Sequence, residues 1–327
     1  MQLQARSTRL VKALGGRASY CSTTGKIAYD FFESNGYFDI YIMNVDGTGN
    51  TQLTVDHAGL PNKHHGTPRL SPDGAWMLFQ AERVGAASDV ASHPGIGTEN
   101  DLYIMKIADG TVTNLRSTAD QLLWAQWHPG MGFIMWSEKA SGVWTIKVAE
   151  ITLGAPPALG TITSYAPGSA QGFYEAYGWM PPGNTVISLA GLLDVADNDL
   201  GDLDIALFNP ATTVTTKITN TDDVLDEHGY PSPFGDRRVV FISSRGQSNF
   251  LHTDLWLTDG EAKNPQRLTH FNDPGHDQYI AGGITIGPTE WLTANTLLVQ
   301  VIGSVVYPRL SNLYEFTITQ RGRSRFI

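Results

Sequence analysis

The chain has 327 residues, 41% hydrophobic and 17% charged, a mix that supplies a sizeable core and excludes wholesale disorder. Its 22 Lys and Arg stand against 32 Asp and Glu, a formal net charge of −10. That balance sets nucleic acid and anionic membrane aside as partners, because phosphate binding needs a basic face. Cys21 is the only cysteine, so an internal disulfide and a multi-cysteine metal site are both excluded.

In chain order, the opening stretch MQLQARSTRLVKALGGRASYCS carries basic residues but no apolar segment of signal-peptide length. No run anywhere is long and apolar enough to span a membrane as a helix. The sequence as written therefore reads as cytoplasmic, or as periplasmic or secreted if a leader has been removed. A repeat follows. Asp39-Ile-Tyr-Ile-Met43 recurs as Asp101-Leu-Tyr-Ile-Met105, then more loosely at Val143–Lys147, Asp204–Phe208, Asp254–Thr258 and Asn312–Phe316. An apolar strand precedes each copy, Trp76–Gln80 and Phe133–Ser137 among them. Asp-Gly turns such as Val45–Thr48 and Ala108–Thr111 follow, since both residues tolerate positive φ. A short strand of the Gln52-Leu-Thr54 type closes the unit, and a Ser71-Pro-Asp-Gly74-like turn lies near its start.

Four strands per unit, six units and no helical periodicity predict an all-β chain: a six-bladed β-propeller of four-stranded antiparallel blades. The expected blades are 17–54, 64–116, 121–165, 172–219, 226–269 and 276–318, in a single domain over residues 1–327. Residues 7–13 look like a unit-closing strand placed ahead of the first unit. They are expected to complete the last blade and close the ring without an open edge. The tail at 322–327 could compete for that place.

The phrase Ser-Pro-Asp-Gly, strand, Asp-Ile-Tyr-Ile-Met, Asp-Gly-Thr, Gln-Leu-Thr resembles the repeat of TolB-like (WD-like) β-propellers. The resemblance covers nearly the whole chain and is most faithful between Gly25 and Arg116. More distantly, the chain is similar to propellers of the oligogalacturonate-lyase type. Similar repeats serve in periplasmic Tol components, in propellers attached to serine peptidases and in lyases, so the resemblance implies a fold and leaves the activity open.

Propeller topology puts the first-to-second-strand turns on one face. The second-to-third-strand loops lie on the other, with the links between blades. The long loops Glu82–Asn100, Leu192–Asp202, Arg245–Thr253 and Gly303–Asn312 mark the second face as the binding face. The tight turns mark the first as structural. Aligning the inner strands on their turns sets His65 level with Gly16, Leu122, Tyr174, His228 and Ala281, a column expected to ring the channel mouth.

From this column and its neighbours come the candidate catalytic residues His65, His228, His276, Glu227 and Tyr174. His64, Glu175, Gln278, Tyr279 and Trp124 are the candidates for substrate binding. His65, His228 and His276 are also candidate ligands for a divalent metal (Mn, Zn or Ca), because imidazole and carboxylate suit such ions. Without a metal, a histidine beside Glu227 or Asp277 could act as a base near neutral pH. The Asp-rich stretch Asp194–Asp204 reads as a solvated acidic loop rather than an EF-hand. Cys21 reads as core packing. No Gly-x-Ser-x-Gly elbow, phosphate loop or Cys-x-x-Cys pair is found. Two functions remain open. One is an enzyme acting on a carbohydrate or other small polar substrate at the channel mouth, in the manner of a metal-assisted lyase or hydrolase. The other is a non-catalytic, TolB-like propeller that binds a protein or peptide.

Overall fold

Residues 2–87, 93, 99–117, 121–168, 172–193, 200–303 and 311–320 are described by the structure, a computed structural model. The long loops fall largely outside these residues, at 88–92, 94–98, 194–199 and 304–310. So do the tail at 321–327 and most of the Asp-rich stretch.

Six four-stranded antiparallel sheets form a six-bladed β-propeller. Blade 1 runs outward from Gly15–Cys21 through Lys26–Phe32 and Phe38–Asn44 to Thr51–Gln52. The inner strands of blades 2 to 6 are His65–Leu70, Gln121–Trp127, Tyr174–Met180, Asp226–Pro231 and Thr285–Thr293. The last blade takes its outer strand from the N-terminus: Leu3–Lys12 pairs antiparallel with Ser311–Gln320. The closing strand expected at 7–13 thus begins earlier, and Ala5 N–H also reaches back to Leu268 O of blade 5 at 2.8 Å.

The repeated residues fix this geometry. In the Asp-Gly-Thr turns the aspartate accepts the threonine N–H two residues on, Thr48 to Asp46 at 2.9 Å and Thr111 to Asp109 at 3.0 Å, while the glycine takes positive φ. The aspartate that opens the third strand ties that strand to the outer one. Thr269 Oγ1 donates to Asp254 Oδ1 at 2.7 Å and accepts Leu255 N–H at 2.9 Å. Thr219 repeats this with Asp204 and Ile205, and Thr54 with Asp39 and Ile40. The repeated phrase is therefore a buried polar latch in blades 1, 4 and 5. Cys21 packs with Leu70 and Met77 in an interblade cluster, as expected of a core side chain.

One feature of the inner strands decides what reaches the channel. All six carry a register shift near their middle, between Gly15 and Ala18, Gly66 and Arg69, Leu123 and Gln126, Ala176 and Gly178, Glu227 and Tyr230, and Ile286 and Thr289. A β-bulge leaves a residue unpaired and re-aims its side chain. In blades 2, 3 and 5 the first bulged residue is forced to positive φ: Thr67 at 49°, Trp124 at 48° and His228 at 56°.

Candidate active site

The bulges set the true ring of equivalent residues: Gly16, Thr67, Trp124, Tyr177, His228 and Gly287. The column expected from the turns holds in blades 1 and 5 and slips elsewhere. In blade 2 it slips by two residues, because His65 pairs with Ala81 just as Asp226 pairs with Ser243. The counterpart of His228 is Thr67, not His65.

A cavity of about 640 Å³ lies at the end of the channel bordered by the second-to-third-strand loops, a size suited to a small organic ligand. Its walls are largely aliphatic, including Leu123, Leu192, Leu203, Leu225, Ile242 and Ile286, with Trp144 and Phe173 meeting edge to face at 4.9 Å. Arg17, Lys139, Thr285 and Gln300 also line it, and three further polar residues form a cluster. Glu175, Glu227 and His228 bring one oxygen or nitrogen each to within 4.8 Å of one another.

Each member is held differently. Glu175 is buried, with Oε1 accepting Trp124 Nε1–H at 2.9 Å and Oε2 accepting the Tyr177 hydroxyl in a very short hydrogen bond. Burial pushes its carboxyl up, against hydrogen bonds from Tyr177, Glu227 and Trp124 that favour the anion. Glu227 is the more open partner, its side chain 22% exposed and one oxygen 3.9 Å from His228 Nε2. His228 is wedged edge-on between Trp124 and Tyr177, with ring centroids 5.6 and 5.4 Å away. Burial, reinforced by the charges of Arg69 and Arg17, pushes it down to about 3, so its imidazole is neutral at any ordinary pH. Arg17 enters the cavity from blade 1 on Asp30, which it contacts through Nε at 2.7 Å. That approach requires Gly16, since a Cβ there would sit 1.9 Å from Asp30 Oδ1.

Of the sequence-derived candidates, Glu175, Glu227, His228 and Trp124 are brought together here. The others lie elsewhere. His65 sits between blades, its Nδ1 2.9 Å from Asp39 Oδ1, where it adds to the blade 1 latch. His64 accepts Phe38 N–H at 3.0 Å and packs on His93 at 4.8 Å, and burial pushes it down to about 4. Tyr174 is core, its hydroxyl accepting Gly168 N–H at 3.1 Å. His276 stacks on His270 at 4.2 Å in the link between blades 5 and 6. In the same link Asp277 pairs with Arg6 at 2.7 Å, and Gln278 donates to Ala5 O at 2.7 Å. Both of these partners belong to the outer closing strand. Tyr279, 41% exposed, lies there too. The three-histidine metal set His65, His228 and His276 is therefore not assembled. Arg17 was missed, and only the position of the blade 1 bulge would have revealed it.

No family model and no curated protein matches the chain. Solved structures do. Putative TolB from Agrobacterium tumefaciens is 18% identical with a TM-score of 0.51, covering 74% of this chain and 72% of that one. TolB from Acinetobacter baumannii is 13% identical with a TM-score of 0.54, covering 92% of this chain and 65% of its own length. An oligogalacturonate lyase in complex with manganese is 10% identical with a TM-score of 0.51, covering 98% and 97%. The chain is a six-bladed propeller similar in fold to TolB and to oligogalacturonate lyase, a set that spans catalytic and other proteins.

Proposed function

We propose that the cavity is the active site of an acid–base enzyme whose substrate has an apolar body and one polar group directed at Glu227. The observation that carries this reading is the hydrogen-bonded Glu175–Glu227 pair at the wall of a ligand-sized cavity. Two carboxyls this close do not both ionise readily, so the pair holds a proton between them. Trp124 and Tyr177 donate to Glu175, which makes it the anionic member. Glu227 faces the cavity and becomes the proton donor. His228 stays neutral and lends a hydrogen-bonding ring nitrogen rather than a charge. Because both oxygens of Glu175 already accept hydrogen bonds, the donor set suits a proton better than a metal ion. The aliphatic walls shift the expected substrate from a fully hydroxylated sugar to an amphipathic ester, lactone or aryl glycoside.

The test is a panel of such compounds assayed with wild type, with Glu227→Gln and after dialysis against EDTA. Turnover should fall roughly 10²-fold or more in the variant, while thermal-shift binding of unreactive analogues persists and chelation has no effect. Binding without turnover in either protein would point instead to the non-catalytic, partner-binding propeller. Turnover that vanishes on chelation would hand the three donors to a metal.

A further inference from the structure

The opposite end of the channel holds a second cavity, of about 400 Å³, bordered by the first-to-second-strand turns that carry Pro129, Pro181 and Pro233. Its chemistry differs from that of the active-site cavity. Among the described residues no Leu, Ile, Val, Met, Lys or Arg lines it. Aromatic rings from five blades do: Tyr20, Trp127, Tyr177, Trp179, Tyr230 and Trp291, with Phe234 at the rim and 48% exposed. Between them stand Gln126, Asn184 and Glu290.

Several of these polar groups lack partners. The indole N–H groups of Trp127 and Trp291 are satisfied by Arg69 O at 2.9 Å and Tyr230 O at 3.2 Å. Trp179 Nε1 and Gln126 Nε2 have no acceptor, although the two residues are only 9% and 8% exposed. Asn184 Oδ1 has no donor. Buried polar groups are ordinarily hydrogen-bonded, and an unsatisfied group in a cavity wall asks for a ligand or an ordered water. All three residues border the same space, with the unpaired atoms themselves shielded beneath its surface.

The ligand class follows by elimination. An anion finds no cation in the wall, because Arg69 lies behind it and is held by Glu290 at 2.9 Å. An alkyl chain finds no aliphatic surface. A cation would meet rings already covered by charge, since Arg69 lies 5.6 Å from the Tyr230 centroid and Arg238 5.1 Å from that of Trp291. A neutral, polyhydroxylated ring fits. Its C–H faces stack on aromatic rings, and each hydroxyl both donates and accepts, which suits a wall where Ser22, Gln126, Asn184 and Glu290 stand between those rings. We infer that this mouth is a binding site for a neutral saccharide, separate from the acid–base site. The tight-turn face is thus more than scaffolding.

Tryptophan fluorescence and calorimetry of the full chain with maltose, cellobiose, lactose and chitobiose test this directly. Saturable binding of at least one disaccharide is expected. It should weaken about fivefold to tenfold in Phe234→Ala, which removes an exposed stacking ring and leaves the core intact. It should also weaken in Gln126→Met, which keeps shape and removes the donor, and be unchanged in Glu227→Gln at the other mouth. The inference is overturned if no disaccharide saturates the signal at tens of millimolar, or if affinity survives both substitutions. It is equally overturned if tetramethylammonium or a proline-rich peptide binds there and the sugars do not.

Discussion

The buried imidazole of His228 makes the stability of this propeller depend on pH in a calculable way. In the unfolded chain a histidine takes up a proton near pH 6.5. In the folded protein burial, with Arg69 and Arg17 nearby, delays that uptake to about pH 3. The folded-state value is depressed, so between these limits the unfolded state binds more protons. The contribution is complete above pH 6.5 and is lost as pH falls toward 3. Between pH 6 and pH 4 the loss is about 2.5 kcal/mol, from about 1.4 kcal/mol per unit of pKa difference. His228→Asn removes the titrating ring at a residue with φ of 56°, a conformation that asparagine tolerates better than most side chains. Reversible urea unfolding of both proteins at pH 4, 5, 6 and 7 isolates the effect. His64, pushed down to about 4, contributes with the same sign but is present in both proteins and cancels. The variant should carry a constant offset plus a shallower acid slope, narrowing its gap from wild type by about 2.5 kcal/mol from pH 6 to pH 4. Parallel stability curves would show that His228 titrates normally in the folded protein, and the picture of a dry, cation-flanked imidazole would fail.

Two further predictions concern the ring itself. Thr269→Val keeps the shape of a fully buried side chain but leaves Asp254 and the Leu255 N–H short of a partner. It should cost about 2 kcal/mol in urea unfolding, whereas Thr51→Val on an exposed outer strand should change stability by less than about 0.5 kcal/mol. Equal effects would show that the latch is dispensable. Ala5→Asp puts a carboxylate at a fully buried point of the closing strand and should destabilise by about 3 kcal/mol or more, against about 0.5 for Ser7→Asp on the exposed side. Matching melting temperatures for the two would mean that the N-terminal strand does not hold the ring shut.

How far the sequence could be read depended on the length scale of the signal. Blade number, strand order and ring closure were legible because they rest on a pattern that recurs in all six units, an apolar strand followed by a second alternating strand, reinforced by an initial Asp in four units and an Asp-Gly-Thr turn in two. An error in one copy is corrected by the other five. The site depends on single residues at the bulges, where the period-two alternation of a strand is broken. Counting back six residues from Ser71 in blade 2 reaches His65, but His228 lies only four residues before Ser232, level with Thr67. The shared His-Gly-x-Pro phrase stands two residues nearer the turn in blade 5 than in blade 2, and setting the two phrases level turns a latch histidine into a supposed channel residue. The histidine count misled for the same reason. His64, His65 and His276 are drawn to the long-loop face by backbone donors, Asp39 and His270, not by a common ligand. His228 survived because it is the bulged residue of blade 5 and Glu227 because it adjoins that bulge, while Glu175 lies two residues from Tyr177, the bulged residue of blade 4. Adjacent residues on a regular strand point to opposite faces, an arrangement that would keep Glu227 and His228 from acting together. The bulge at His228 removes that obstacle, and with it the channel gains a carboxyl pair and an imidazole that no regular inner strand could present side by side.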